Sequence, residues 1–290
     1  MKRVLPIIIL AVLLGVIVSV TFSPELKTPA LEAGQLRVHV LDVGQGDCIL
    51  VQTADGRNVL IDGGDRDAAE AVTDYLLKNG VHRIDLLMIT HPHSDHIGGL
   101  PEILEKFGVS GVVDAGLPHG SQTYGRVLST IESRRILYKK AVKGLKVGVG
   151  GDLTLGILWP PKDYAVYGDV MLNNGSVVAR IQFGDVSFLF AGDIERESEG
   201  LLLASGQGLE STVLKVAHHG SDSSTTNEFL QVVKPVYAII SVGVDNEYGH
   251  PAESILRRLN AAGAKVLRTD EQGTVVLTTD GRTVEVITAR

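Results

Sequence analysis

The chain has 290 residues, and its formal net charge of −7 rules out a general polyanion binder with a basic surface throughout. A single cysteine, Cys48, excludes both a disulfide framework and a multi-cysteine zinc site. With the N-terminal stretch set aside, about 255 residues remain, enough for one large hydrophobic core.

Met1-Lys2-Arg3 precedes an uncharged run from Val4 to Phe22. As a helix this run is about 28 Å long, close to the roughly 30 Å of bilayer hydrocarbon. Pro6 falls in the first turn, where it is tolerated. Lys2 and Arg3 orient the start toward the cytoplasm and the rest outward. The run exceeds the core of about 7–15 residues typical of a signal peptide, and Thr28-Pro29-Ala30 is a poor cleavage site. Residues 1–22 therefore read as an uncleaved signal anchor, with a cleaved signal peptide as the alternative. Both place the domain outside the cytoplasm, anchored to the membrane or secreted. Residues 23–34, with two prolines and no apolar period, read as a linker, and residues 35–290 as the folded domain.

Leu36 to Val40 alternates like a half-buried strand, with His39 on its polar side as a structural or surface histidine. Asp42-Val43-Gly44-Gln45-Gly46-Asp47 follows. Its glycines permit a tight turn or a close backbone approach to a ligand, and Gln45 and Asp47 are candidate supporting or substrate-contacting residues. Cys48–Gln52 and Asn58–Ile61 read as paired strands, the second ending in Asp62. Asp62 is placed to hydrogen-bond a metal-bound histidine. Ala68 to Asn79 has helical spacing and stops at Gly80. His82 in the following turn reads as structural or exposed.

The densest chemistry lies in Thr90-His91-Pro92-His93-Ser94-Asp95-His96, after the apolar run Leu86–Ile89, where α/β enzymes place their sites. His91 and His93 can grip one cation, and Asp95 and His96 a second beside it. Imidazole and carboxylate donors suit Zn, Mn or Fe. Beyond it come a short helix Glu102–Phe107, a strand Gly111–Asp114, an exposed turn at His119 and a longer helix Thr123–Lys140. Ile131 to Lys146 holds Arg134, Arg135, Lys139, Lys140, Lys143 and Lys146 against one acid, Glu132. This run is either a solvated helix face or a phosphate-neutralising patch.

The second half supplies further candidates. Asn173-Asn174-Gly175-Ser176 precedes a hairpin of strands, Val177–Phe183 and Val186–Phe190, and Asn174 and Ser176 are candidate supporting or substrate-contacting residues. The hairpin ends in Gly192-Asp193, a carboxylate suited to bridging two cations. Ser211–Ala217 reads as a strand ending in His218-His219. Adjacent side chains diverge, so one is expected to bind metal and the other to meet substrate or solvent. His250 lies between a strand, Pro235–Val242, and a helix, Ala252–Asn260, as a ligand, a proton donor or a substrate contact. Strands at Val266–Arg268, Thr274–Thr278 and Val284–Thr288 close the chain. Six of the nine histidines sit at such junctions, which argues against chance scatter.

The ordered set His91-x-His93-x-Asp95-His96, Gly192-Asp193 and the later histidines resembles the metallo-β-lactamase superfamily. More narrowly, LDVGQGD, THPHSDHIGG, LFAGDIE, LKVAHHGS and YGHP resemble the hydrolase domain of the ComEC competence proteins, from about Leu36 to the C-terminus. The resemblance implies an αββα sandwich with the site at the sheet edges. It implies His91 and His93 on a first metal, Asp95 and His96 on a second, Asp193 bridging, and one of His218 and His219 completing the second. Many superfamily members carry a further histidine before the bridging aspartate. Here Asn173 and Asn174 stand in that region, as in the ComEC-like branch, so the first site is one strong ligand short. Full-length competence proteins also carry a multi-span channel, whereas this sequence has one candidate span.

The expected activity is hydrolysis at two divalent ions, Zn or Mn, acting on DNA or another phosphodiester, with Asp95 and His250 as the candidate catalytic residues. The alternatives are a hydrolase of a small ester, lactam or phosphocholine-like group, or a non-catalytic metal-binding module. No protein partner is expected; the membrane is met only through the N-terminal helix.

Overall fold

The computed structural model describes residues 28–151, 153–164 and 169–290. The expected membrane or signal helix at residues 1–22 lies outside the described residues. Among the described residues no helix is long and apolar enough to cross a membrane.

The strands of the first half are β1 (Leu36–Val40), β2 (Ile49–Thr53), β3 (Asn58–Ile61), β4 (Arg83–Ile84), β5 (Leu86–Ile89), β6 (Gly108–Val109), β7 (Gly111–Asp114) and β8 (Leu137–Lys140). The second half contributes β9 (Lys146–Gly150), β10 (Leu153–Trp159), β11 (Val178–Phe183), β12 (Val186–Phe190), β13 (Val213–Lys215), β14 (Tyr237–Ile240) and β15 (Lys265–Arg268), and then β16 (Val275–Thr279) and β17 (Val284–Thr288). One sheet has the order β17-β16-β1-β2-β3-β5-β7-β8, and the other β15-β14-β13-β12-β11-β10-β9. The short β4 and β6 pair on their own.

The two sheets face each other. Val38, Val51, Ile61 and Met88 of the first meet Leu155, Ile181, Phe188 and Ile239 of the second in one dry layer. The outer face of the first sheet is covered by α1 (Ala69–Lys78), α2 (Ser94–Ile97), α3 (Leu100–Lys106) and α4 (Gln122–Ser133), which bring Val72, Leu76, Ile103 and Val127 onto Leu50, Leu60 and Leu87. The helix α5 (Asp169–Asn174) leads into β11. The outer face of the second sheet is covered by α6 (Arg196–Ala204), α7 (Asn227–Val233) and α8 (Glu253–Ala261), through Leu202, Phe229 and Ile255. The layers are therefore α, β, β, α, as the resemblance implied. Apolar side chains on both faces of each central strand are the reason both faces must be covered.

Two expectations change. Leu36–Val40 is buried on both faces, and His39 is fully enclosed, its Nδ1 2.8 Å from the Tyr75 hydroxyl of α1. Its polar position faces a helix, not water. The expected helix Thr123–Lys140 is α4 followed by the strand β8. Arg135 has φ of 54°, a left-handed residue that ends the helix, and Leu137–Lys140 then pairs in parallel with β7. An exposed edge strand carries no apolar alternation, so its period was invisible.

Within the first sheet β3, β5, β7 and β8 are parallel, and within the second β12, β13, β14 and β15 are parallel. Loops from the carboxyl ends of both sets meet at one edge of the sandwich, the position where open α/β sheets bind their ligands.

Candidate metal centre

His91 follows β5, Asp193 follows β12, and His219 follows β13. His91, His96, Asp193 and His219 are all at most 2% exposed. The carboxylate of Asp193 is the meeting point. Its Oδ2 lies 3.2 Å from His96 Nε2, 3.3 Å from His219 Nε2 and 3.7 Å from His91 Nε2. Asp95 Oδ2 lies 3.2 Å from His219 Nε2 and 3.7 Å from His96 Nε2. His93 Nδ1 is 3.0 Å from His91 Nε2.

Each central imidazole is held from behind through Nδ1. His96 Nδ1 is 2.8 Å from Asp62 Oδ2, His219 Nδ1 is 3.0 Å from the Ser241 carbonyl, and His91 Nδ1 is 3.1 Å from the Thr90 hydroxyl. An N–H donated to Ser241 leaves the His219 Nε2 lone pair aimed inward, the tautomer a metal ligand needs. Asp62, fully buried, also accepts from the Thr90 amide at 2.8 Å and the Thr90 hydroxyl at 2.6 Å. One carboxylate thus fixes both the strand end and a ring.

A cation with N and O ligands about 2.0–2.1 Å away at tetrahedral angles has its ligand atoms about 3.3 Å apart. Four separations among Asp95, His96, Asp193 and His219 are 3.2–3.7 Å, close to that edge length, and all their donor atoms lie within 4.8 Å of one another. Asp193 Oδ1 and His219 Nε2 are buried without a hydrogen-bond partner. The residues therefore fit a divalent cation. Asp47, Asp62 and His96 also crowd together. That group supports the first, because Asp62 is spent on Thr90 and His96, and Asp47 on Lys215.

Burial resists protonation of His219, but Asp193, Asp95 and Asp47 outweigh it and push the imidazole up to about 10. His96 moves the same way: burial opposes its charge, while Asp193, Asp95 and Asp62 hold its proton. Burial alone would raise Asp193 and Asp95, yet the imidazoles of His96 and His219 keep both carboxyls below the usual range. Burial, reinforced by the neighbouring imidazoles, keeps His91 neutral.

Asp47 makes an ion pair with Lys215, Oδ2 to Nζ 2.7 Å, with both side chains 2% exposed. Lys215 stands two residues after Val213, on the face of β13 that looks between the sheets. The pair joins the two sheets beneath the site, and Asp47 Oδ1 lies 3.5 Å from His219 Nδ1. Gly46 has φ of 131°, and a Cβ there would sit 2.1 Å from the Asp95 carbonyl oxygen. That glycine serves contact with the Asp95 loop instead of a ligand.

The remaining sequence candidates divide. Gln45, His93, Asn173, His218 and His250 line a cavity of about 490 Å³ over the cluster. His218 turns away from the metal ligands, its Nδ1 3.3 Å from Glu195 Oε1 and its Nε2 3.4 Å from Asn173 Nδ2. Burial, with His218 and His219 nearby, pushes His250 down to about 4, so its ring is neutral near pH 7. Asn174 faces the base of α6, its Oδ1 accepting from the amides of Glu195 and Ser198. Ser176 is buried against Gly192, where an added Cβ would lie 2.8 Å from its own Cβ. His119, expected to be exposed, is half-buried in the cavity wall, its ring 6.3 Å from that of His93. Three contributors lay outside the sequence candidates: Thr90, Ser241 and Lys215. A lysine inside the apolar run Val213 to Ala217 was the one available signal.

Residues 41–244 match the family model described as the Metallo-beta-lactamase superfamily. With the αββα layers and the His/Asp cluster at their edge, the chain belongs to that superfamily. Its relatives narrow this to a ComEC-like member. It is 30% identical over 258 residues to ComE operon protein 3 of Bacillus subtilis, covering 82% of this chain and 32% of that protein. It is 32% identical over 256 residues to Competence protein ComA of Neisseria gonorrhoeae, covering 88% and 33%. The chain thus spans about a third of the length of these relatives. A solved structure, CmlA, a diiron beta-hydroxylase from Streptomyces venezuelae, superposes with a TM-score of 0.52 at 16% identity, over 82% of this chain and 53% of that one, which shows a shared fold.

Two outcomes are expected. Asp62→Asn weakens divalent-metal affinity about 10- to 100-fold by releasing the His96 ring; titration calorimetry showing unchanged affinity would remove Asp62 from this role. The second concerns pH. In metal-free protein the His219 proton stabilises the fold below about 6.5, and this contribution is lost as pH rises toward about 10. A bound cation replaces that proton, so affinity rises over the same window. The gap in melting temperature between metal-loaded and EDTA-stripped protein should widen from pH 6.5 to 9; a constant gap contradicts the proton–metal exchange.

Proposed function

We propose that the protein is a phosphodiesterase acting on DNA outside the cytoplasm, with two divalent ions, Zn or Mn, as its cofactor. Asp95, His96, Asp193 and His219 would hold one ion, and His91, His93 and Asp193 the other. The single observation that supports this most is the Asp193 carboxylate, buried between the Nε2 atoms of three imidazoles that are each anchored through Nδ1. Bound ions supply Lewis-acid polarisation of the phosphoryl group and a water acidic enough to react near neutral pH.

The chain's own residues do the positioning. Asp62, Thr90 and Ser241 hold the rings, so little reorganisation is needed when charge develops. His250 lines the cavity with a ring that is neutral near pH 7, which suits a substrate contact, one of its three sequence roles, better than proton donation. Asp95 is committed to His96 and His219 and acts as a ligand rather than a separate acid or base. Asn173 stands where a further histidine is common in the superfamily, so the His91 and His93 position has fewer strong donors and favours a hard ion such as Mn.

Polyanion binding is supported by the basic run. Lys140 ends β8, Lys143 follows, and Lys146 begins β9, all exposed and on the strand ends that face the site. The strand β8 is two places from β5, about 10 Å across the sheet. A strand of nucleic acid leaving the cavity past His119 would meet these cations. Location outside the cytoplasm rests on the apolar run Val4–Phe22.

Purified chain loaded with Mn should cleave single-stranded DNA, while Asp193→Ala should not, with a chromogenic lactam as the counter-substrate; DNA cleavage no faster than in that variant sinks the reading. Replacing Lys140, Lys143 and Lys146 with alanine should weaken strand binding and reduce the slope of log affinity against log salt by up to about 2. An unaltered slope would show that these lysines meet no phosphates.

A further inference from the structure

We infer that Tyr248 forms a stacking subsite for a nucleobase at the mouth of the metal cavity, an inference that rests on the phosphodiesterase reading above. Tyr248 is 70% exposed. It lines the cavity over the cluster and also an adjoining cavity of about 500 Å³, so it stands on the ridge between them. One of its faces is already engaged. The Tyr248 and His250 rings are stacked with 24° between their planes and centroids 5.7 Å apart. The exposed remainder is a flat, amphipathic surface beside the place where a phosphodiester would sit.

The loop that carries it is built rather than loose. Asn246 Nδ2 donates to the Gly243 carbonyl at 3.0 Å and to the His250 carbonyl at 2.6 Å, and the His250 amide donates to Asn246 Oδ1 at 3.0 Å. At its base, Gly243 lies so close to Gln45 that an added Cβ would be 2.7 Å from the Gln45 amide nitrogen. A ring presented on a pinned loop loses little conformational freedom on binding, the condition under which stacking adds affinity.

Charge selects the part of the substrate that reaches this ring. The adjoining cavity is lined by Asp65 and Asp67, and by Asp42, whose charge is paired with Arg290. Carboxylates there repel further phosphates, so the backbone is led away from that side while an uncharged base is admitted. Aromatic stacking accepts any base, because every base has a π face, so the subsite confers affinity for nucleotides without sequence preference.

The test compares two short single strands of equal length, an oligothymidylate and its fully abasic counterpart, on the Mn-loaded full chain. Both binding and cleavage are measured. The wild type should bind the base-bearing strand about 5- to 150-fold more tightly than the abasic one. Tyr248→Ala should bring that ratio close to one, and Tyr248→Phe should preserve it. Equal binding of both strands by the wild type, or a ratio retained in Tyr248→Ala, overturns the subsite. Preferential binding without cleavage of either strand supports the subsite and overturns the phosphodiesterase reading instead.

Discussion

The structure turns on one buried carboxylate. Asp193 is 2% exposed and faces the Nε2 atoms of His91, His96 and His219. Such a group is expensive to bury unless its charge is met, and here it is met by rings that are themselves oriented from behind. Asp62, Thr90 and the Ser241 carbonyl perform that orientation, so the inward lone pairs are set by the fold rather than by the ligand. Without a cation the His96 and His219 rings hold protons, while His91 stays neutral. With one, the same geometry becomes a coordination shell. The balance between the two states is what couples this centre to pH.

The sandwich explains how such a centre can be rigid when its parts are far apart in sequence. Parallel strands from both sheets deliver their carboxyl ends to one edge, and the dry layer between the sheets fixes the strands. Beneath the site, the Lys215–Asp47 ion pair joins the second sheet to the first. A buried pair of this kind contributes little net stability. Its geometry instead fixes the spacing of the loops, since Asp47 also lies beside His219 and its amide donates to the Asp95 carbonyl.

The surface around the centre is divided by charge. Exposed lysines stand at the ends of β8 and β9, carboxylates line the adjoining cavity, and Tyr248 lines both cavities. An acidic protein can therefore handle an anionic polymer if the polymer touches only a narrow strip of it. Under the phosphodiesterase proposal the lysines and the ring would serve a strand with bases attached, and a compact lactam would use neither.

The cluster His91 to His96 was readable from the sequence because its ligands are nearly contiguous and follow an apolar strand, so local order alone brings them together. The sheets were largely readable for the same reason, since apolar runs and glycine turns mark strands wherever burial is two-sided. Leu137–Lys140 escaped because an exposed edge strand has no apolar signature, and a basic run looks the same on a helix face or a sheet rim. Lys215 showed only as a charge inside an apolar run, and His119 and Tyr248 depended on the tertiary structure entirely. Their significance comes from which distant segment packs against them, and no period or spacing within one segment encodes that. The choice between His218 and His219 was likewise made by Ser241, twenty-two residues on from His219, whose carbonyl holds the His219 ring and so determines which neighbour points inward.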